Sequence, residues 1–263
     1  MGFGWKTAGA LALACAPVWA LAGAWPKAPG EGQIILTTTY DRARRGFDAD
    51  GELGQELRYD KIEVSAFGEF GVLPRLTAVG RTAFQDVTME NEWGREAASG
   101  LSASEAGLRA TLLQRDWDVL SVQGTAIVPG DVENVTDLRL GEGGWDYEAR
   151  VMYGRAFEFQ GGHGFAEGQF GWRWRAGAPP DEARVDLTLG WSKGPWTVMG
   201  QAFALKGTGA QPPRRDYENV KLQASVARDI SDDTRLQAGV FRTVSGNSIV
   251  QETAVFLGLW KRF

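Results

Sequence analysis

Few side chains in this sequence have the types and spacing that covalent chemistry needs. Hydrolysis through a nucleophile requires a base beside it, itself oriented by a third group. The sequence offers one histidine, His163, inside the glycine-rich stretch 160–164, and no second histidine to share the work. It reads as a solvated turn residue, and the chain is expected not to be an enzyme. The run Asp48-Ala49-Asp50-Gly51-Glu52 gathers three carboxylates. A calcium loop, however, needs oxygens at five or more spaced positions, closed by a bidentate glutamate. An acidic loop tip is the better account, so neither a metal nor a cofactor is expected. Cys15 is the only cysteine, which excludes disulfides and thiolate metal sites from the rest of the chain.

What remains is a dispersed set of charges. Arg81, Arg109, Arg150, Arg173, Arg175, Arg184 and Lys221 recur with Glu63, Glu69, Glu105, Asp146, Glu148, Glu167 and Asp186. Charges facing a common interior can form an ion-selective lining. They can also pair into a network that fills and stiffens a narrow space. Arg150, Arg173, Arg175 and Arg184 belong to three successive segments, where an uncompensated cluster would attract a small anionic solute. Asp146, Glu148, Glu167 and Asp186 lie on the same segments and would neutralise it. Both readings stand at this point.

The elements that must position these charges are strands. From residue 33 onward the chain breaks into segments of roughly 9 to 15 residues that alternate apolar and polar, the spacing of tilted membrane strands. Twelve are expected: 33–40, 58–72, 76–87, 104–113, 119–128, 145–157, 165–175, 183–192, 196–205, 217–228, 234–244 and 249–263. Ala106, Leu108, Ala110 and Leu112 share one parity, while Glu105, Gly107, Arg109 and Thr111 share the other. Val220, Leu222, Ala224 and Val226 likewise oppose Lys221, Gln223 and Ser225. Short links (73–75, 115–118, 160–164, 193–195, 231–233) alternate with mostly longer ones (41–57, 88–103, 129–144, 176–182, 206–216), although the last on the long side, 245–248, is short. That rhythm matches short turns on one side of a membrane and longer loops on the other.

A soluble sandwich also alternates, but two features point to the inverted arrangement. Many apolar-face residues are alanine or glycine, too small for a thick core. Aromatic residues also gather near strand ends, as at Tyr40, Trp145, Tyr147, Trp191, Trp196, Tyr217 and Trp260, which suits interfacial girdles. The fold class is therefore all-β: one closed antiparallel transmembrane barrel of twelve strands, with ten or fourteen as alternatives.

Residues 1–24 read as a secretory signal peptide ahead of one barrel domain at 25–263. A short cationic start leads into an apolar run that ends in Ala22-Gly23-Ala24. Cleavage before Trp25 is expected, with cleavage before Gly23 as the alternative. Mass spectrometry of the mature protein should find one of these two termini; an intact Met1 or a lipid on Cys15 would contradict the assignment. The net charge of −5 offers no basic surface for nucleic acid.

The end of the chain adds a more specific signal. Val255, Leu257, Leu259 and the terminal Phe263 fall on one parity. This resembles the C-terminal assembly signal of Gram-negative outer-membrane β-barrel proteins, departing from it at Lys261, where an aromatic or apolar residue is usual. The resemblance implies location in the bacterial outer membrane. It also implies contact with outer-membrane lipids and lipopolysaccharide, and passage through periplasmic chaperones and the barrel-assembly machinery. In strand number the chain is similar to small monomeric channel barrels. The expected function is a narrow passive pore or solute channel with a charged, Arg-containing lumen. The alternative is a non-conducting structural or surface-interaction barrel acting through its extracellular loops.

Overall fold

The computed structural model describes residues 23–91, 94–130, 144–177, 179–210 and 216–263. Residues 1–22 of the leader, with Cys15, and parts of the links at 88–103, 129–144, 176–182 and 206–216 lie outside the described residues. In chain order the strands are β1 (Gly32–Phe47), β2 (Leu53–Leu73), β3 (Leu76–Asn91), β4 (Gly94–Leu101), β5 (Ser104–Gln114), β6 (Asp118–Val128) and β7 (Asp146–Phe159). There follow β8 (Gly162–Trp174), β9 (Asp181–Lys193), β10 (Trp196–Thr208), β11 (Glu218–Asp229), β12 (Thr234–Asn247), β13 (Ile249–Val250) and β14 (Thr253–Arg262).

Among the described residues twelve of these form the wall, each antiparallel to its neighbours, while β4 and β13 are short additions at the loop end. The wall is closed because β1 pairs on one side with β2 and on the other with β14. Among the described residues each of the twelve wall strands is paired on both sides, which is what a sheet in hydrocarbon requires.

The short turns follow from local backbone chemistry. Leu73 pairs with Leu76 across Pro74-Arg75, where proline presets φ and Arg75 takes the left-handed region at φ 70°. Phe159 pairs with Gly162 across Gln160-Gly161, both at positive φ, the twist that suits a two-residue hairpin.

Two of the expected long links are strand instead. β1 and β2 run on to Phe47 and from Leu53, and β2 reaches 21 residues. The stretch 88–103 becomes the hairpin of β3 with β4. A bilayer needs only about 9 to 11 tilted strand residues, so this side of the wall rises above it. The outward side chains there, such as Arg42 and Arg44, are polar. Polarity on the outer face marks where the membrane stops, not where the strand stops.

The two faces divide as the alternation predicts. Ile34, Leu36, Ile62, Val64, Leu108, Val151, Leu187, Leu222, Val240 and Leu257 are exposed on the outer surface. Tyr40, Trp145, Tyr147 and Trp174 stand toward the loop end, and Phe70, Tyr153, Phe159, Trp196 and Phe263 toward the turn end. Two aromatics expected in these girdles are inside instead. Trp260 is buried and donates through Nε1 to Gln237. The Tyr217 hydroxyl donates to Glu182. Trp260 shares the parity of Ala254 and Phe256, opposite to Leu257 and Leu259, so its position along the strand misled where its parity did not.

Candidate functional site: the barrel interior

Three arrangements occupy the interior. The first is an ion-pair network on β7, β8 and β9. Arg173 meets Asp146 at 2.5 Å, and Arg175 lies 3.4 Å from Asp146 and 3.3 Å from Glu182. Arg184 pairs with Glu182 at 2.5 Å and with Glu148 at 3.6 Å. Arg150 donates to Glu148 at 2.9 Å and pairs with Asp186. The sequence therefore brings its four arginines to one wall, as the strand order required. It brings Asp146, Glu148, Glu182 and Asp186 with them, one carboxylate for each guanidinium. Glu182 and Tyr217 fell inside or beside expected loops, so the strand pattern did not single them out.

The other predicted charges form smaller groups. Arg81 pairs with Glu63 at 3.0 Å and Glu105 at 3.7 Å. Arg109 donates to Glu69 at 2.5 Å, with the two side chains 1% and 0% exposed. Lys221 pairs with Glu252. Glu167 stands apart from these pairs, accepting the backbone N–H of Ala24 at 2.8 Å and a hydrogen bond from Gln169.

The second arrangement is the N-terminal segment, residues 23–31, which lies across the turn end of the barrel. Ala24 is fully buried with Val119 and Met152, and its carbonyl accepts the Ser121 hydroxyl at 2.6 Å. Trp25 meets Phe165 edge-on, with centroids 6.3 Å apart. The Lys27 ammonium lies 3.5 Å from Glu69, and its backbone N–H donates to Thr77. Two glycines make room: a Cβ at Gly154 would strike the Trp25 ring, and one at Gly71 would strike the Ala28 carbonyl. This segment carries no strand alternation, which is why the sequence did not place it.

The third arrangement is a band of uncharged side chains on β10, β11, β12 and β1, set between the Arg235–Asp229 pair toward the turn end and the Lys221–Glu252 pair and Asp41 toward the loop end. Gln201, Gln223 and Gln237 project from β10, β11 and β12 beside Thr37 and Thr39 of β1. Phe256 and Trp260 of β14 complete this side. A cavity of about 300 Å³ lies between it and Glu167. Its floor is the cluster of Phe165, Met199 and Trp260, against which Trp25 packs.

The C-terminal residues Val255, Leu257, Leu259 and Phe263 all point outward and are 39–67% exposed. Phe263 closes the wall through reciprocal backbone hydrogen bonds with Gly32 at 2.8 and 3.0 Å. Lys261 stands at the rim, 2.5 Å from Asp233 of the last turn. The Lys261 ammonium holds the Asp233 carboxyl well below the usual carboxylate range. The other chemistry-bearing stretches stay bland. His163 is exposed beside its turn. Asp48 Oδ1 accepts the backbone N–H groups of Asp50 and Glu52, capping its own loop.

No family model matches the sequence, and no curated protein matches it. Solved structures do. The COG4313 outer membrane channel from Pseudomonas putida F1 is 13% identical with a TM-score of 0.69, over 92% of this chain and 97% of that one. The transport unit of the autotransporter AIDA-I from Escherichia coli is 11% identical with a TM-score of 0.55, over 89% and 90%. The KdgM porin is 7% identical with a TM-score of 0.51, over 86% and 99%. Identities this low speak for the fold alone. The chain has the fold of the bacterial outer-membrane β-barrels.

Proposed function

We propose that this chain, after loss of the leader 1–24, is a narrow solute channel of the bacterial outer membrane, with an Arg-containing interior. The observation that carries the reading is the cavity of about 300 Å³ inside a closed, lipid-faced wall. A barrel kept only as a scaffold has no need of polar side chains around open space. The short turns and both ends of the wall face the periplasm, so residues 25–31 narrow the periplasmic mouth. Arg150, Arg173, Arg175 and Arg184 are matched by carboxylates in this reading, so they shape one wall and do not impose a strong anion preference. Lipid and lipopolysaccharide cover the outer face. The assembly machinery reads Val255, Leu257, Leu259 and Phe263.

The filled turn end favours a second reading, a non-conducting barrel that acts through its outside loops. Cysteine accessibility separates the two, because the mature chain has no cysteine of its own. A cysteine at Gln201 should react with a hydrophilic maleimide in intact cells, since it faces water in the cavity. One at Leu222 should not, since it faces hydrocarbon. Protection of both positions would favour the non-conducting barrel.

A further inference from the structure

The charges of the interior are gathered in pairs away from the open space, whose lining is uncharged except for Glu167. Guanidinium groups and carboxylates on β7, β8 and β9 spend their charge on one another. Next to them along the wall, amides and aromatic rings border the cavity. We infer that the cavity is a binding site for an uncharged, hydroxyl-rich solute with an apolar ring face, of the size of a neutral monosaccharide. This deepens the channel reading above and rests on it.

The amides, hydroxyls and rings around the cavity supply the chemistry for such a solute. Gln223 donates to Gln201 at 2.5 Å, and Gln201 donates to Thr188 at 3.2 Å. Gln237 donates to Ser225 at 3.0 Å and accepts from Trp260 at 2.9 Å. Each primary amide has two donors and two acceptor lone pairs. These contacts fix the orientation of the amides and leave further donor and acceptor capacity toward the cavity. Hydroxyl groups, which both donate and accept, match such a surface; a carboxylate, which only accepts, leaves the amide carbonyls without partners. Trp260 and Phe256 supply flat apolar faces against which the C–H side of a sugar ring can lie. The cavity also borders the Glu167 carboxylate, which repels an anionic solute entering the same space. A cationic solute would be drawn to Glu167 but would find no charge partner in the amide wall, so it is the second competitor to test.

The test compares three solutes that share one ring: glucose, glucuronate and glucosamine. Swelling of proteoliposomes measures their entry, and block of ion current in a planar bilayer measures their binding. Glucose should enter fastest and block at the lowest concentration. Replacing Gln201 and Gln223 by leucine should raise the blocking concentration of glucose by about three- to tenfold for each hydrogen bond lost. Gln223→Asn, which keeps the amide, should lose less than Gln223→Leu. Glucuronate or glucosamine entering and blocking as well as glucose would overturn the inference and leave the channel standing. Passage of none of the three, together with no ion current, would overturn the channel reading and the inference with it.

Discussion

Arg109→Met is expected to destabilise the barrel by about 3 to 5 kcal/mol, because it strands a fully buried carboxylate. Glu69 is 0% exposed and its principal partner is the Arg109 guanidinium at 2.5 Å. The Lys27 ammonium lies 3.5 Å away and offers part of the compensation, which places the expectation inside that range and not above it. The cost arises from an unpaired charge in a dry interior and not from the pair's own strength. The double variant Arg109→Met with Glu69→Met should therefore recover most of the loss, since both charges leave together. The readout is the unfolding temperature in detergent. A single variant as stable as the parent would mean that water reaches Glu69 and that this end of the barrel is open. The same experiment thus reports how firmly residues 25–31 seal the turn end.

The second large effect concerns the outer face. Leu108, Leu187 and Leu222 are 53%, 52% and 49% exposed on the wall, which makes sense only if lipid covers them. Arginine at any of these positions should cost about 2 to 4 kcal/mol if it lies near mid-membrane, falling toward the rims. Arginine at Ser225, which turns inward beside Gln237, should be tolerated because the cavity is wet. Refolding into vesicles at graded denaturant measures both. Equal costs at Leu222 and Ser225 would contradict the assignment of faces.

Most of the wall was legible in the sequence because two-residue alternation carries its own meaning. A residue such as Leu187 and its neighbour Asp186 cannot exchange faces without a register slip that moves every side chain between them. Strand pairing followed from the rhythm of turns. Where the reading went astray, a second signal overrode the first. The links 41–57 and 88–103 look like loops because their outward residues are polar, but hydrogen bonding continues above the bilayer. Trp260 and Tyr217 look interfacial by position, yet both find hydrogen-bond partners inside.

The interior was harder to read. Alternation says which charges turn inward, and Arg150, Arg173, Arg175 and Arg184 all do. It does not say which carboxylate each will meet, because that depends on register between strands. Arg175 finds Glu182 and Asp146 through the pairing of β8 with β9 and β7. The segment 23–31 has no periodicity to reveal where it lies. Only the glycines that accommodate it, Gly71 and Gly154, leave a trace in the sequence, and nothing there marks them apart from the other glycines of the wall.

Ion current through the purified mature chain in a planar bilayer tests the channel most directly, compared with the same chain lacking residues 25–31. Small, weakly selective steps are expected from the parent, because the arginines are matched by carboxylates and the segment narrows the mouth. Removing the segment should enlarge those steps without making them strongly anion-selective. Silence from both chains, with the barrels shown to be folded by their resistance to heat in detergent, would contradict the channel reading.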